Sequence, residues 1–171
     1  MSSKALLVSA KASATALRVF EKSCYHKIDF KIPETSLVHE AAMRFTAFNV
    51  GCLAVTDAQQ RVVGVCSERD YINRVAALGH RSNDNALQVK DICSYGPKII
   101  VARPSDSLET CMQKMMFKDI RHLLIVDETA DDCIGMISIK DLMKEIVKDK
   151  DDTITRLTDF KVGKGAFFGS E

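Results

Sequence analysis

A hydroxyl and a carboxylate stand three residues apart at two places in this chain, each time directly after an apolar, strand-like run. The pairs are Ser67 with Asp70 and Ser138 with Asp141, and a glycine precedes each serine by three residues. The serines are 138 − 67 = 71 residues apart, and the aspartates are 141 − 70 = 71 apart. This spacing indicates internal duplication, so the segments are either a duplicated structural joint or a duplicated ligand site.

Two kinds of chemistry fit the Ser-x-x-Asp spacing. At the start of a helix, the serine caps the first turn and the acid interacts favourably with the helix dipole, which is a common structural device. The same geometry also suits a nucleotide, because the N-terminal N–H groups attract phosphate and a carboxylate accepts hydrogen bonds from ribose hydroxyls. A single occurrence favours the cap alone.

Cationic side chains near these segments favour the nucleotide interpretation. Arg69 and Lys140 each follow the serine by two residues, and Arg121-His122 begin the preceding strand of the second copy. Each copy therefore places positive charge near the helix start, where phosphate would lie. The alternative is that these cations belong to an ordinary solvated surface.

The patterning predicts an α/β (α+β) fold in which each copy has the order β-α-β-β-α. The first copy is predicted as strand 28–32, helix 37–48 capped by Thr35 or Ser36, strands 50–55 and 62–66, and helix 68–78. The second is predicted as strand 98–101, helix 107–117, strands 121–126 and 134–137, and helix 139–147. Ahead of the copies, Leu17 and Phe20 resemble Val89 and Ile92 at an offset of 72.

The repeats predict the division of the chain. We expect an N-terminal extension over residues 1–16, a first repeat over 17–78, a linker over 79–88, a second repeat over 89–148 and a tail over 149–171. A single repeat would bury little of its own surface, so the copies are expected to share one core. Phe167 and Phe168, set among glycines, suit an extended peptide that docks on another surface, or else a disordered terminus.

Composition excludes several classes of function. The net charge of +1 gives no basic field for nucleic acid, and no apolar run approaches the length of a membrane span. The six cysteines contain no C-x-x-C, and Cys52, Cys66 and Cys111 fall at apolar positions, which indicates buried, reduced thiols in an intracellular protein. No histidine pairs with a cysteine at a spacing typical of zinc sites, so no metal is expected.

The first twenty residues have the composition of a mitochondrial transit peptide. They contain no acidic residue, and Lys4, Lys11 and Arg18 are seven residues apart, which puts them on one helical face. The alternative is an ordinary N-terminal helix packed on the first repeat. The corresponding localisations are the mitochondrion and the cytoplasm.

Taken together, these motifs resemble a pair of CBS domains, also called a Bateman module, over about residues 17–147. The resemblance rests on the doubled element order, on Asn49-Val50-Gly51 and Asp119-Ile120-Arg121-His122 before the middle strands, and on two matches to the signature Gly-x-x-(Ser/Thr)-x-x-Asp. The segments are particularly similar to small stand-alone CBS-pair proteins, including those of plant organelles.

The resemblance implies two repeats packed with pseudo-two-fold symmetry around two clefts that bind AMP, ADP, ATP, S-adenosylmethionine or nicotinamide dinucleotides. Asp70 and Asp141 would hold ribose, and Ser67 and Ser138 would lie beside the sugar or phosphate. The other implied ligand-binding residues are Ile28 and Ile99 beside the adenine, and Arg69, Arg121 and His122 on the phosphate side, with Lys140 as a further cation. The resemblance also implies a homodimer that senses the ligand for a protein partner.

Two other functions remain open at this point. The pair can serve as a scaffold or assembly subunit of a larger complex with no bound ligand. An enzyme is not indicated, because the sequence shows no nucleophile-base-acid set, no glycine-rich phosphate loop and no metal cluster, so no catalytic residue or catalytic cofactor is expected.

Overall fold

Two small sheets and the helices around them make up the chain. The computed structural model describes residues 14–76, 87–96, 99–127 and 132–165. The helices are α1 (Ala16–Phe20), α2 (Val38–Phe48), α3 (Glu68–Tyr71), α4 (Val89–Ile92), α5 (Leu108–Phe117) and α6 (Ile139–Gly165). The strands are β1 (Lys31–Pro33), β2 (Cys52–Thr56), β3 (Val62–Ser67), β4 (Ser94–Tyr95), β5 (Val101–Ala102), β6 (His122–Asp127) and β7 (Asp132–Ser138). A 3₁₀ turn, Cys24–Lys27, follows α1, and a π-helical turn, Ile72–Ala76, continues α3.

The mixed α/β fold with a doubled β-α-β-β-α order is confirmed. The first sheet has the order β1-β2-β3-β4 and the second the order β5-β6-β7, and in each the first pair is parallel and the second antiparallel. The strand register is also equivalent in the two sheets. Lys31 pairs with Ala54 in the first sheet, and Val101 pairs with Leu124 in the second, each residue 70 positions after its counterpart. Both repeats contribute to one hydrophobic core. None of the described helices has an apolar stretch long enough to cross a membrane.

Several predicted element ends are wrong in the first repeat. The strand expected over 28–32 begins only at Lys31. Residues 28–30 connect the 3₁₀ turn, which ends at Lys27, to this strand, and the Asp29 carboxylate accepts a bond from the Lys31 N–H. Neither Thr35 nor Ser36 caps α2. Its N-cap is Leu37, with no side-chain bond, and the orphan Val38 N–H donates to the Leu87 carbonyl instead.

The last helix is much longer than predicted. We expected it to end near Val147, whereas α6 runs for 27 residues to Gly165. The charged run 148–152 forms a solvated helix rather than a break, and Thr153 and Thr158 bond back to carbonyls one turn earlier. The predictions for residues 1–13, for residues 79–86 of the linker expected over 79–88, and for the end of the tail at 166–171 fall outside the described residues.

The prediction of buried thiols is confirmed. Cys52, Cys66 and Cys111 are buried and free, and the structure adds Cys93 and Cys133 to the buried set while Cys24 is exposed. Burial raises the pKa of the Cys52 thiol to about 12. These sulfhydryls therefore act as small apolar side chains of the core.

Each repeat begins with a segment that packs on the other repeat. We call residues 14–27 the first lead-in and residues 87–96 the second. The first lead-in bonds to the second repeat through Ala16 N–H and the Asp106 carbonyl at 2.8 Å. The second bonds to the first repeat through Val89 N–H and the Ser36 carbonyl at 2.9 Å. Ala16 thus corresponds to Val89 at an offset of 89 − 16 = 73, so the predicted offset of 72 is wrong by one residue.

Candidate functional site

The two Ser-x-x-Asp segments form the same hydrogen-bonded cap. Asp70 Oδ2 accepts from the Ser67 N–H at 2.9 Å and from Ser67 Oγ at 2.6 Å, and the Asp70 N–H donates to Ser67 Oγ at 3.3 Å. Asp141 and Ser138 make the same three bonds at 2.9, 2.6 and 3.3 Å. The capping interpretation therefore holds in both copies. The cap fixes one oxygen of each carboxylate at the edge of its sheet.

The residues before each middle strand tie the caps to the sheets. Asn49 and Asp119 adopt left-handed backbone, with φ of 52° and 49°, a conformation that short polar side chains tolerate. Two residues later, the Gly51 carbonyl accepts from the Glu68 N–H at 3.1 Å, and the Arg121 carbonyl accepts from the Ile139 N–H at 2.9 Å. The start of each capping helix is thus held against the start of a middle strand.

The first candidate site, the Asp70 cleft, is a cavity of about 180 Å³ between the repeats. The Ser67–Asp70 cap lines it from the first repeat, and Ile99 and Ile100, which precede β5, line it from the second. Asp70 is half-buried, and no described residue outside its own cap bonds to the carboxylate. The cleft therefore offers a carboxylate oxygen above a largely apolar surface.

The second candidate site, the Asp141 cleft, is a more open cavity of about 330 Å³. Ser138, Lys140 and Asp141 line it, but Asp141 itself is only 6% exposed. The reason is Ser23, whose hydroxyl donates a further hydrogen bond to Asp141 Oδ2 at 3.0 Å. The two carboxylates thus have the same cap and different surroundings.

The implied phosphate-side residues are divided between the clefts. Arg69 lines the Asp70 cleft and bonds across it to the Asp119 carbonyl and carboxylate, both at 3.2 Å. Arg121 and His122 line both clefts, and Lys140 lines only the Asp141 cleft. The structure therefore brings together every implied residue except Ile28, which lines neither cleft and packs against the core.

The His122 side chain contributes an uncharged ring to the clefts rather than a positive charge. Burial, and then the neighbouring Arg121, lower its pKa to about 4. Its ring packs edge-on against Tyr25, with centroids 5.9 Å apart and an interplanar angle of 82°. At pH 7, any positive charge offered to a phosphate in the Asp70 cleft comes from Arg69 and Arg121.

We expect His122 to make the protein less stable in mild acid. The pKa is near 6.5 in the unfolded chain and about 4 in the fold, so the unfolded state takes up the proton first as the pH falls. The free energy of unfolding should drop by about 2 to 3 kcal/mol between pH 6.5 and 4, measured by urea unfolding. His122→Gln should flatten this part of the profile, whereas His39→Gln, at an exposed position, should leave it intact. An unchanged profile in His122→Gln would contradict the assignment.

The sequence analysis did not single out Tyr25, which lines the Asp141 cleft, Ser23, which bonds to the Asp141 carboxylate, or the position of Gly51 between the clefts. Gly51 lines both clefts. A Cβ at this position would lie 3.2 Å from Glu68 Oε2 and 3.2 Å from His122 Cε1, so the glycine allows these side chains to pack closely between the two clefts. The sequence alone gave no signal for Ser23 and Tyr25, because the additional length of the first lead-in became visible only with the offset that the structure gives. Among the described residues, no group of three or more His, Cys, Asp or Glu side chains is placed to hold a metal ion.

Comparison with known proteins identifies both repeats. The family model of the CBS domain matches residues 27–77 and 89–148. The mitochondrial CBS domain-containing protein CBSX3 of Arabidopsis thaliana is 30% identical over 128 residues, which are 74% of this chain and 60% of that protein. This chain thus spans less than two thirds of the length of that relative.

Solved structures show the same architecture. A CBS-domain protein from Burkholderia ambifaria matches with a TM-score of 0.69 at 28% identity, over 80% of this chain and 96% of that one. A CBS-domain protein from Pyrobaculum aerophilum, solved in complex with AMP, matches with a TM-score of 0.57 at 25% identity, over 69% of this chain and 90% of that one.

Proposed function

The chain belongs to the CBS-domain family, and we propose on that premise that it is a regulatory module that binds an adenosyl ligand in the Asp70 cleft. The observation that carries the proposal is the carboxylate of Asp70, whose Oδ2 is held by the cap while no described residue bonds to Oδ1. This leaves an acceptor for a ribose hydroxyl on the rim of the cleft. The AMP complex of the Pyrobaculum aerophilum protein supports this class of ligand.

The surroundings of Asp70 suit the rest of a nucleotide. Ile99 and Ile100 provide an apolar surface for the adenine ring. Arg69 and Arg121 provide the positive charge for a phosphate, and the Arg69 bond to Asp119 would open to release that guanidinium. The same arrangement accepts AMP, ADP, ATP or S-adenosylmethionine, which share the adenosyl group.

Calorimetric titration with AMP, ATP and S-adenosylmethionine tests the proposal. We expect at least one of them to bind the wild-type protein and Asp70→Asn to weaken that binding about tenfold or more, because a hydrogen bond to a charged group contributes about 1.5 to 3 kcal/mol. Asp91→Asn is the matched control, since Asp91 also caps a helix by bonding the Gln88 N–H, at 2.8 Å, but lines neither cleft. Absence of binding to all three compounds would refute the proposal.

A scaffold function is the second candidate, and the exposed face of α6 favours an assembly of some kind. Met143, Val147, Ile154 and Leu157 are 49% to 62% exposed and lie on one side of the helix. We propose that this stripe forms a homodimer contact and that the dimer engages a protein partner. Light scattering checks it: a monomer at micromolar concentration would refute the homodimer, and an assembly that binds none of the three compounds would favour the scaffold.

We further propose a mitochondrial location. The support is the composition of the first twenty residues and the mitochondrial relative at 30% identity. Mass spectrometry of the protein's N-terminus in its native tissue checks this, because an intact Met1 would contradict a cleaved presequence.

A further inference from the structure

The two clefts start from one hydrogen-bonding pattern, and they differ in what covers the carboxylate. Asp141 accepts the Ser23 hydroxyl bond at 3.0 Å in addition to its cap, and it is 6% exposed. Ser23 is itself 1% exposed, and its oxygen also accepts the Tyr25 N–H at 3.2 Å. Asp70 has no such cover among the described residues. The difference therefore comes from the lead-in and not from the signature.

The covering segment exists because the first lead-in is longer. From Ala16 to the first paired strand residue, Lys31, there are 31 − 16 = 15 positions, whereas from Val89 to Val101 there are 101 − 89 = 12. The longer segment contains the four-residue 3₁₀ turn, Cys24–Lys27, which Ser23 caps. At the offset of 73, the counterpart of Ser23 is Gly96, which has no hydroxyl to offer Asp70.

Tyr25 completes the cover. Its side chain is 2% exposed, lines the Asp141 cleft and packs edge-on against both His122 and Phe30. Its hydroxyl makes no hydrogen bond to any described residue. A buried hydroxyl without a partner costs about 1 to 3 kcal/mol, so the ring is held there by its packing. Ser23 and Tyr25 thus lie beside the Asp141 carboxylate, which is 6% exposed.

We propose that residues 23–25 are a built-in cover over the Asp141 carboxylate, so that each chain binds one adenosyl ligand, at the Asp70 cleft. The inference rests on the proposed function above. The Ser23 hydroxyl bonds to Oδ2 of Asp141, and Ser23 together with the Tyr25 ring beside His122 covers the carboxylate, so that a ribose hydroxyl does not reach it. The Asp141 cleft then holds the two repeats together instead of sensing a ligand.

Stoichiometry and location of binding test this inference. With AMP as the probe, we expect calorimetry to give one equivalent per wild-type chain and Asp70→Asn to lose at least 90% of the heat at the same concentrations. Hydrogen exchange should show that AMP protects amides of residues 67–70 and 99–100, while exchange at 138–141 stays the same with and without AMP.

The outcomes separate this inference from the proposed function. Two equivalents of AMP per wild-type chain would overturn the inference and leave the proposed function standing. So would a full equivalent remaining in Asp70→Asn, or protection by AMP at residues 138–141. If AMP, ATP and S-adenosylmethionine all fail to bind the wild-type protein, the proposed function falls and the inference with it.

Discussion

Asp141→Ala should destabilise the protein by about 3 to 5 kcal/mol, and Asp70→Ala by only about 1 to 2. Removal of the buried Asp141 carboxylate leaves the Ser138 N–H, the Ser138 hydroxyl and the Ser23 hydroxyl without their common acceptor. Removal of Asp70 disturbs an otherwise identical cap that is half-open to water, so the loss is that of an ordinary helix cap.

Urea unfolding of the two alanine variants measures this difference directly. In thermal unfolding, Asp141→Ala should lower Tm by roughly 10 °C, since 1 kcal/mol corresponds to about 2 to 4 °C for a chain of this size. Adding Ser23→Ala to Asp141→Ala should cause less loss than Ser23→Ala causes alone, because both variants remove the same 3.0 Å bond. Equal losses in Asp70→Ala and Asp141→Ala would show that the bond from Ser23 and the burial contribute nothing.

Gly135→Ala should cost about 2 to 3 kcal/mol, a large effect for one added methyl group. A Cβ at Gly135 would lie 2.6 Å from Phe20 Cδ2 and Cε2, and Phe20 is a buried ring of the first lead-in. The ring has to shift, which is overpacking of the core. Gly51→Ala is the matched control and should cost less than about 1 kcal/mol, because its nearest neighbours, at 3.2 Å, are the ends of the Glu68 and His122 side chains.

A double-mutant cycle with Phe20→Leu isolates the clash. The smaller leucine side chain should make Gly135→Ala cost at least about 1 kcal/mol less than it does beside Phe20. Additive losses would mean that the methyl group is accommodated without contact with the ring. The signature glycine of the first repeat has the parallel function, because a Cβ at Gly64 would lie 2.9 Å from the Ser94 carbonyl oxygen of the second lead-in.

Local features of the site could be predicted from the sequence. The spacing of Ser67 and Asp70, repeated at Ser138 and Asp141, predicts a cap in each copy because three residues is the distance over which an N-cap and the third helical residue bond. The buried thiols and the doubled element order followed from apolar periodicity in the same way. Such patterns can be predicted because they depend on residues that are close together in the sequence.

Long-range contacts could not be predicted in this way. Ser23 reaches Asp141 across 118 residues, and nothing in the sequence around Ser23 indicates an acceptor so far along the chain. The two-residue strand β4 is too short to show periodicity. The extension of α6 past Val147 was missed because a charged run is compatible with both a solvated helix and a tail. The three additional residues ahead of β1 were visible only once the structure gave the correct offset.

The exchange of lead-ins between repeats has a consequence for the order of folding during synthesis. When the N-terminal half leaves the ribosome, residues 94–95, which form the edge strand of its sheet, have not yet been made. Residues 14–27 also lack the second repeat, on which they pack in the finished protein. The first sheet is therefore completed only when residues 94–95 emerge, and the first lead-in finds its partners only later, through bonds such as that of Ser23 to Asp141 across 118 residues. We expect the nascent chain to depend on the last helix for its first stable state.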